Sequence, residues 1–279
     1  MSLATLAAVK PTRRDVPLPP FPPGTTWLRG PEPVSERVTA RGPLLVHFFE
    51  VGELSSVRTL PFVSSLHERY GSDGLTVLGI HSPRNDLASA DADLDRALER
   101  LGIEFPVAND NEHRIWHAYG CDRWPYTFLW RRGGTLRWAH FGEGAYHETE
   151  AEAREELAAI TDGELPLSVL DAPAGGVAPE LVPPSAEVFP GGSYDVAWRG
   201  DAGEPLVVEY EGAGAWAALG GEGALELAVD GEAATTVEVA SPGLYELSSH
   251  PVHGAHEVEL RPSGSVAVWS LAFAPGARD

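Results

Sequence analysis

Few side chains in this sequence carry obvious chemistry, and the spacing of those that do is restrictive. Cys121 is the one cysteine among 279 residues. Alone it closes no intrachain disulfide, and no CxxC pair or thiolate metal set exists. A single thiol can still form a mixed disulfide or a sulfenic acid, provided its thiolate is stabilised and reached by a partner. His250, His253 and His256 recur every third residue in HPVHGAH. Pro251 and Gly254 exclude a helix that would align these rings, and no carboxylate or thiol completes a donor set, so no metal is assigned. His113 and His117 stand at i and i+4 beside Trp116 and Tyr119, and read as surface or core-edge residues. Ser55 and Ser56 lack a base and an orienting acid at triad spacing. No GxSxG, P-loop or dinucleotide fingerprint appears, and Phe141-Gly142-Glu143-Gly144 lacks the strand-to-helix context of a phosphate cradle. No cofactor is expected, and hydrolase chemistry has no support.

The elements that must position these residues fall into two groups. Pro43 to Phe49 is a short apolar run, the pattern of a strand buried on both faces. Ser55 to Arg69 places Val57, Leu60, Val63 and Leu66 at spacings of three, predicting an amphipathic helix with Ser55 or Ser56 as N-cap and a kink at Pro61. Gly74 to His81 is a second buried strand, and Leu87 to Leu101 a second helix. A short helix follows near Glu112 to Tyr119. Strands at Tyr126 to Trp130 and Leu136 to Phe141 flank a Gly133-Gly134 turn, and an acidic helix spans Glu148 to Ile160. The order β-α-β-α-β-β-α marks an α/β unit.

Proline and glycine then take over, and short strand-like runs follow from Tyr194 to Phe273, separated by turns such as Val229-Asp230-Gly231-Glu232. This second pattern predicts an all-β sandwich. The expected organisation is a Pro-rich arm (1–24), an α/β domain (25–162), a linker (163–185) and a β-sandwich (186–275).

Charge narrows the partners. Asp and Glu outnumber Lys and Arg 41 to 20, for a formal net charge of −21. Such a surface repels a phosphate backbone, so neither nucleic acid nor an anionic membrane is an expected partner. Lys10 is the only lysine, a bias expected first of GC-rich bacterial coding and alternatively of adaptation to high salt. The longest N-terminal apolar stretch, Leu3 to Val9, is too short to span a bilayer, and a cytoplasmic location is expected.

Several segments together resemble the thioredoxin family, in particular TlpA-like and DipZ-like members whose thioredoxin domain precedes a β-rich, carbohydrate-binding-like domain. They are Phe21 to Leu28, LLVHFFEVGELSSVRTLPFV, GLTVLGIH, Phe105 to Asn111, Arg123-Trp124-Pro125, Phe141 to Gly144, Gly243 to Leu247 and EVELRPSGSVAVWSLAF. The resemblance implies a thioredoxin-like α/β domain followed by a galactose-binding-like jelly roll. Family members carry a CxxC after the first buried strand, where a helix N-terminus lowers the pKa of the first cysteine. At that place this sequence has Glu53-Leu54-Ser55-Ser56, so Glu53 and Ser56 occupy the former cysteine positions. His47 stands where many relatives have a buried acid.

Neither a carboxylate nor a hydroxyl undergoes thiol–disulfide exchange. The expected function is therefore that of a redox-inactive module binding a protein, a peptide or a glycan. The alternative is an oxidoreductase working through Cys121 with an external thiol. By resemblance, Trp124-Pro125 carries the family's cis-proline, and Phe49, Val51, Trp124, Pro125 and Tyr126 are expected to line a peptide groove. Trp198, Trp216, Tyr245 and Trp269 are aromatic residues in predicted strands; they are expected in the core, with sugar stacking the alternative for any that prove exposed.

Overall fold

A computed structural model describes residues 16–33, 35–170, 180–200, 204–232 and 234–278. They divide into two compact units, the first made of residues 16–50, 55–82 and 101–170, the second of 51–54, 83–100 and 180–278. Residues 51–54 and 83–100, expected in the α/β domain, group with the second unit, and residues 171–179 of the expected linker lie outside the described residues. Residues 1–15 of the expected arm also lie outside them. The arm's described end pairs with a sheet edge: Pro17 bridges Thr135, and the Leu18 N–H donates to Gly134 O at 2.8 Å.

The α/β elements are β1 (Thr26–Leu28), α1 (Ser35–Arg41), β2 (Leu44–Phe49), α2 (Leu54–Tyr70), β3 (Thr76–His81), α3 (Asp91–Arg100), β4 (Val107–Asn109), α4 (Arg114–Tyr119), β5 (Tyr126–Arg131), β6 (Thr135–Phe141) and α5 (Tyr146–Ala158). Their strands form one six-stranded sheet in the order β1-β4-β3-β2-β5-β6. β2 pairs in parallel with β3 and antiparallel with β5, and all six of its residues are buried. That is why its sequence is nearly continuously apolar: the strand has neighbours on both sides and no wet face. Leu44, Val46 and Phe48 join Leu78, Ile80, Trp116, Cys121, Phe128 and Trp130 in one core cluster.

Alternation sends His47 and Phe49 to the opposite face of the sheet. Gly79, opposite His47 in the register, accommodates the crowding there. A Cβ at this position would lie 2.9 Å from the Phe105 ring and 3.0 Å from the Phe49 ring.

Local polar groups adjust two helix boundaries. α2 begins at Leu54 rather than behind a Ser55 or Ser56 cap, because the Ser56 hydroxyl bonds the strand end instead. Pro61 lies inside this helix, where the Ser65 hydroxyl donates to Pro61 O at 2.9 Å. Leu87, expected to start the second helix, lies in a separate 3₁₀ turn over Asp86–Ala88 whose N-cap Asn85 accepts from the Leu87 N–H; α3 starts only at Asp91.

The remaining elements are all β: β7 (Leu181–Val182), β8 (Leu206–Gly220), β9 (Gly223–Val229), β10 (Thr235–Val239), β11 (Gly243–Pro262), β12 (Ala267–Phe273) and β13 (Gly276–Ala277). A five-stranded antiparallel sheet runs β10-β9-β11-β8-β12, and β7 pairs with β13. Runs that read as separate strands are continuous here. Leu206 to Tyr210 and Ala215 to Leu219 share β8, and Gly243 to Leu247 and His256 to Arg261 share β11. Register shifts between Glu246 and Ser248 and between Ser249 and Gly254 bend β11 without ending it. Tyr194 to Trp198 forms no strand, only a bridge from Trp198 to Val268. Val188 and Trp198 pack on the core of this sheet with Leu219, Val258, Val268 and Leu271.

Candidate functional site

The turn joining β2 to α2 holds Glu53 and leads into Ser56, the two positions at which the resemblance places cysteines. Ser56 is fully buried, and its hydroxyl accepts a hydrogen bond from the Glu50 N–H at 3.2 Å. Glu53 is half-buried and immediately precedes the first residue of α2. A thiolate here would be favoured by the exposed N–H groups of the helix end. A hydroxyl engaged with backbone and a carboxylate offer no sulfur for exchange.

Behind this turn lie the buried ionisable groups His47, His81 and Glu50. His47 shares a hydrogen bond of 2.9 Å with Thr127 Oγ1, its register partner on β5. Burial pushes its pKa down to about 3. His81, also fully buried, is pushed down to about 4, chiefly by burial. Its Nδ1 lies 3.5 Å from Asn109 Oδ1 and its Nε2 4.0 Å from Glu50 Oε1. Both imidazoles are neutral near pH 7.

Cys121 follows Gly120, the C-cap of α4. Its backbone N–H donates to Trp116 O at 3.1 Å, and the residue is 7% exposed. Burial pushes the thiol pKa well above its ordinary value, with Asp122 and then Asp110 adding to the rise. The side chain sits within the apolar cluster of Phe48, Trp116 and Phe128, so at neutral pH it is a protonated thiol. Arg123, a candidate local cation, is turned to Asp122 through two contacts of 2.9 and 3.0 Å.

The Trp124-Pro125 peptide is cis. Trp124 is half-buried, its ring 4.6 Å from that of Trp116 and its Nε1–H donating to Ser82 O at 3.0 Å. Tyr126, also half-buried, donates its hydroxyl to Asp122 Oδ1 at 2.6 Å. These two rings are the expected groove residues that keep exposed surface. Phe49 and Val51 are fully buried and Pro125 is buried, so none of the three lines a groove with its side chain. Phe49 is still in β2 and packs against Gly79 and His81. Val51 belongs to the second unit, where its carbonyl accepts from the Leu244 N–H at 3.0 Å. Glu143, in the Phe141 to Gly144 turn, pairs with Arg58 of α2 at 3.0 Å, a structural contact rather than a phosphate cradle.

Two further expectations resolve here. His113 and His117 lie with ring centroids 6.3 Å apart, His113 preceding α4 in a left-handed conformation. Trp269 is buried, and Trp198, Trp216 and Tyr245 are half-buried. Arg100 lies over the Tyr245 ring at 4.4 Å. Sequence reasoning did not find Asp110 or Asp230. Asp110 is buried and caps α4 through the Ile115 and Trp116 N–H groups. Asp230 lies beside His256, and the signal for it was the Asp230-Gly231 turn itself.

No family model matches the chain. It is 25% identical over 292 residues to the protein DipZ of Mycobacterium tuberculosis, an alignment covering 89% of this chain and 41% of DipZ. Human NHL repeat-containing protein 2 is 25% identical over 186 residues, covering 64% of this chain and 24% of that protein. The thiol-disulfide oxidoreductase ResA of Geobacillus thermodenitrificans is 26% identical over 80 residues, covering 29% and 43%. Among solved structures, a thioredoxin-like protein in its oxidized form aligns with 52% of this chain and 97% of its own, at 23% identity and a TM-score of 0.47. This chain thus spans about two fifths of the length of DipZ. β2 and β3 run parallel at the centre of the sheet with β5 and β6 antiparallel beside them, a thioredoxin-like arrangement, and the chain is similar to DipZ over 89% of its own length.

Proposed function

We propose that the chain is a binding protein on a thioredoxin-like scaffold that does not catalyse thiol–disulfide exchange, and that its ligand is an extended protein or peptide segment held at Trp124 and Tyr126. The observation that carries this reading is the state of the sulfur chemistry. Glu53 and Ser56 stand at the positions where the resemblance places cysteines, and Cys121, the one thiol, is buried in apolar surroundings with its pKa raised. Exchange requires a thiolate that a partner disulfide can reach. The half-buried Trp124 and Tyr126 supply the amphipathic aromatic surface that peptide contacts favour.

The test is reduction of insulin by dithiothreitol with the native chain, Cys121→Ser and Glu53→Cys/Ser56→Cys. The expected result is a silent native chain and a gain of turnover in the double variant. Turnover by the native chain that Cys121→Ser abolishes would overturn the non-catalytic reading. Peptides selected by display against the native chain are expected to lose about tenfold or more in affinity for Trp124→Ala. A selection whose binders ignore Trp124 would remove the proposed groove.

A further inference from the structure

The bend in β11 brings together residues that HPVHGAH alone leaves apart. The register jumps from Ser249↔Gly214 to Gly254↔Gly212, so the intervening residues are thrown out of the ladder. His250 and His256 come to face each other, with parallel rings and centroids 3.5 Å apart. His253, the middle member of the triplet, is not part of the cluster. Its place is taken by Asp230, contributed by the turn after β9, with its Oδ2 2.8 Å from His256 Nδ1. One ligand atom from each of Asp230, His250 and His256 lies within 4.8 Å of the others.

From this juxtaposition we propose that Asp230, His250 and His256 form a binding site for a borderline divalent transition-metal ion, with Zn²⁺ as the fitting probe. Two imidazoles and one carboxylate are a donor set for such ions and a poor one for Ca²⁺ or Mg²⁺, which take oxygen ligands. Ligands about 2.0–2.2 Å from one ion lie about 3–3.5 Å apart, so closing the triangle requires side-chain movement of about an ångström.

The surroundings hold the donors in place. The Glu257 N–H donates to Asp230 Oδ1 at 2.8 Å, fixing the carboxylate. Tyr210 lies 3.1 Å from His250 Nε2 and 2.6 Å from Ser248 Oγ, which also accepts from the Ala215 N–H. With His250 Nε2–H donating to Tyr210 Oη, and Tyr210 donating on to Ser248, the Nδ1 lone pair of His250 is free for a metal. Orientation of a ligating ring through its other nitrogen is the usual supporting arrangement at metal sites. Tyr210 is itself wedged against Phe273, centroids 4.6 Å apart. The cleft measures about 510 Å³ and is lined by Glu209, Glu211 and Glu257 besides Asp230 and His256, so its field attracts cations.

The experiment is calorimetric titration of the chelator-treated full chain with ZnCl₂. One saturable site per chain is expected. His250→Ala and His256→Ala are each expected to weaken it about tenfold or more, and Tyr210→Phe, which keeps the ring and removes the hydroxyl, about tenfold. His117→Ala, which breaks the other histidine pair, should leave it unchanged. Should a variant fold poorly, histidine side-chain NMR of the native chain answers the same question, because Zn²⁺ must shift the ring nitrogens of His250 and His256 and leave those of His113 and His117 in place. Absence of saturable binding, binding that survives both alanine variants, or shifts confined to His113 and His117 would overturn the proposal.

Discussion

The Ser56 hydroxyl accepts the Glu50 N–H at 3.2 Å, tying the first turn of α2 to the end of β2. Ser56 is fully buried and Glu50 nearly so. Ser56→Ala is therefore expected to destabilise the fold by about 1–2 kcal/mol, since it deprives a buried donor of this acceptor. Ser56→Cys retains a small, weakly accepting atom of similar shape and should cost less than Ser56→Ala. Urea denaturation of the three proteins checks the order. Equal midpoints for Ser56→Ala and the native chain would show that this hydrogen bond contributes nothing.

Asp110 accepts from the Ile115 N–H at 3.1 Å and the Trp116 N–H at 2.8 Å, and the Ser82 hydroxyl donates to it at 3.3 Å. Two of the unpaired donors at the start of α4 are thereby satisfied from outside the helix. Loss of a side-chain cap costs about 0.5–2 kcal/mol, and burial places Asp110→Ala at the upper end of that range. Asp110→Asn keeps one acceptor oxygen and should recover part of the loss. Because the Trp116 ring packs against that of Trp124, the alanine variant should also alter tryptophan fluorescence, which a purely local effect at Asp110 would leave unchanged.

What was legible in the sequence follows the range of the interactions involved. Pro43 to Phe49 and Gly74 to His81 are apolar runs long enough to identify central strands, and the helix over Leu54–Tyr70 announces itself through Leu60, Val63 and Leu66. That neither Glu53 nor Ser56 carries sulfur was equally plain, because both are read directly. Partnership across the chain was not. Asp230 reaches His256 only through a strand pairing between β9 and β11, and a local reading of HPVHGAH sees no carboxylate. The bulge that apposes His250 and His256 depends on pairing with β8, and periodicity within β11 carries no trace of it. Burial of Phe49 and Val51 is likewise a tertiary property, which the resemblance that suggested them as groove residues does not convey.

The buried state of Cys121 makes a kinetic prediction. With its thiol pKa raised by burial first and by Asp122 and Asp110 after it, the thiolate fraction at pH 7.5 is very small and access is limited. Alkylation by iodoacetamide should be at least about tenfold slower in the native chain than in urea-unfolded chain at the same pH. Mass spectrometry of quenched time points gives both rates. Comparable rates would mean that the thiol is reached in the folded protein and would restore one-cysteine redox chemistry as the better reading.

His47 links stability to pH, and the sign follows from its pKa in the two states. In the unfolded chain it titrates near the ordinary histidine value of about 6.5; in the fold, burial pushes it down to about 3. Between these values the unfolded state binds the extra proton, so stability rises with pH across the window and levels off above about 6.5. Falling pH removes that stability, beginning at about 6.5 and ending near 3. A depression of this size corresponds to several kcal/mol when the whole window is crossed. His81, pushed down to about 4, adds a second loss of the same sign that is complete at higher pH. Replacing His47 with Gln, which can keep a hydrogen bond to Thr127 and does not titrate, should flatten the acid limb of a plot of unfolding free energy against pH. The effect is measured by urea denaturation at intervals from pH 7.5 to 4.5, within the range where the chain remains folded. Parallel curves for the native chain and His47→Gln would show that His47 is not held neutral in the fold. Convergence of the two curves toward low pH, with His47→Gln less stable at pH 7.5, would identify the neutral imidazole and its bond to Thr127 as a source of the acid sensitivity.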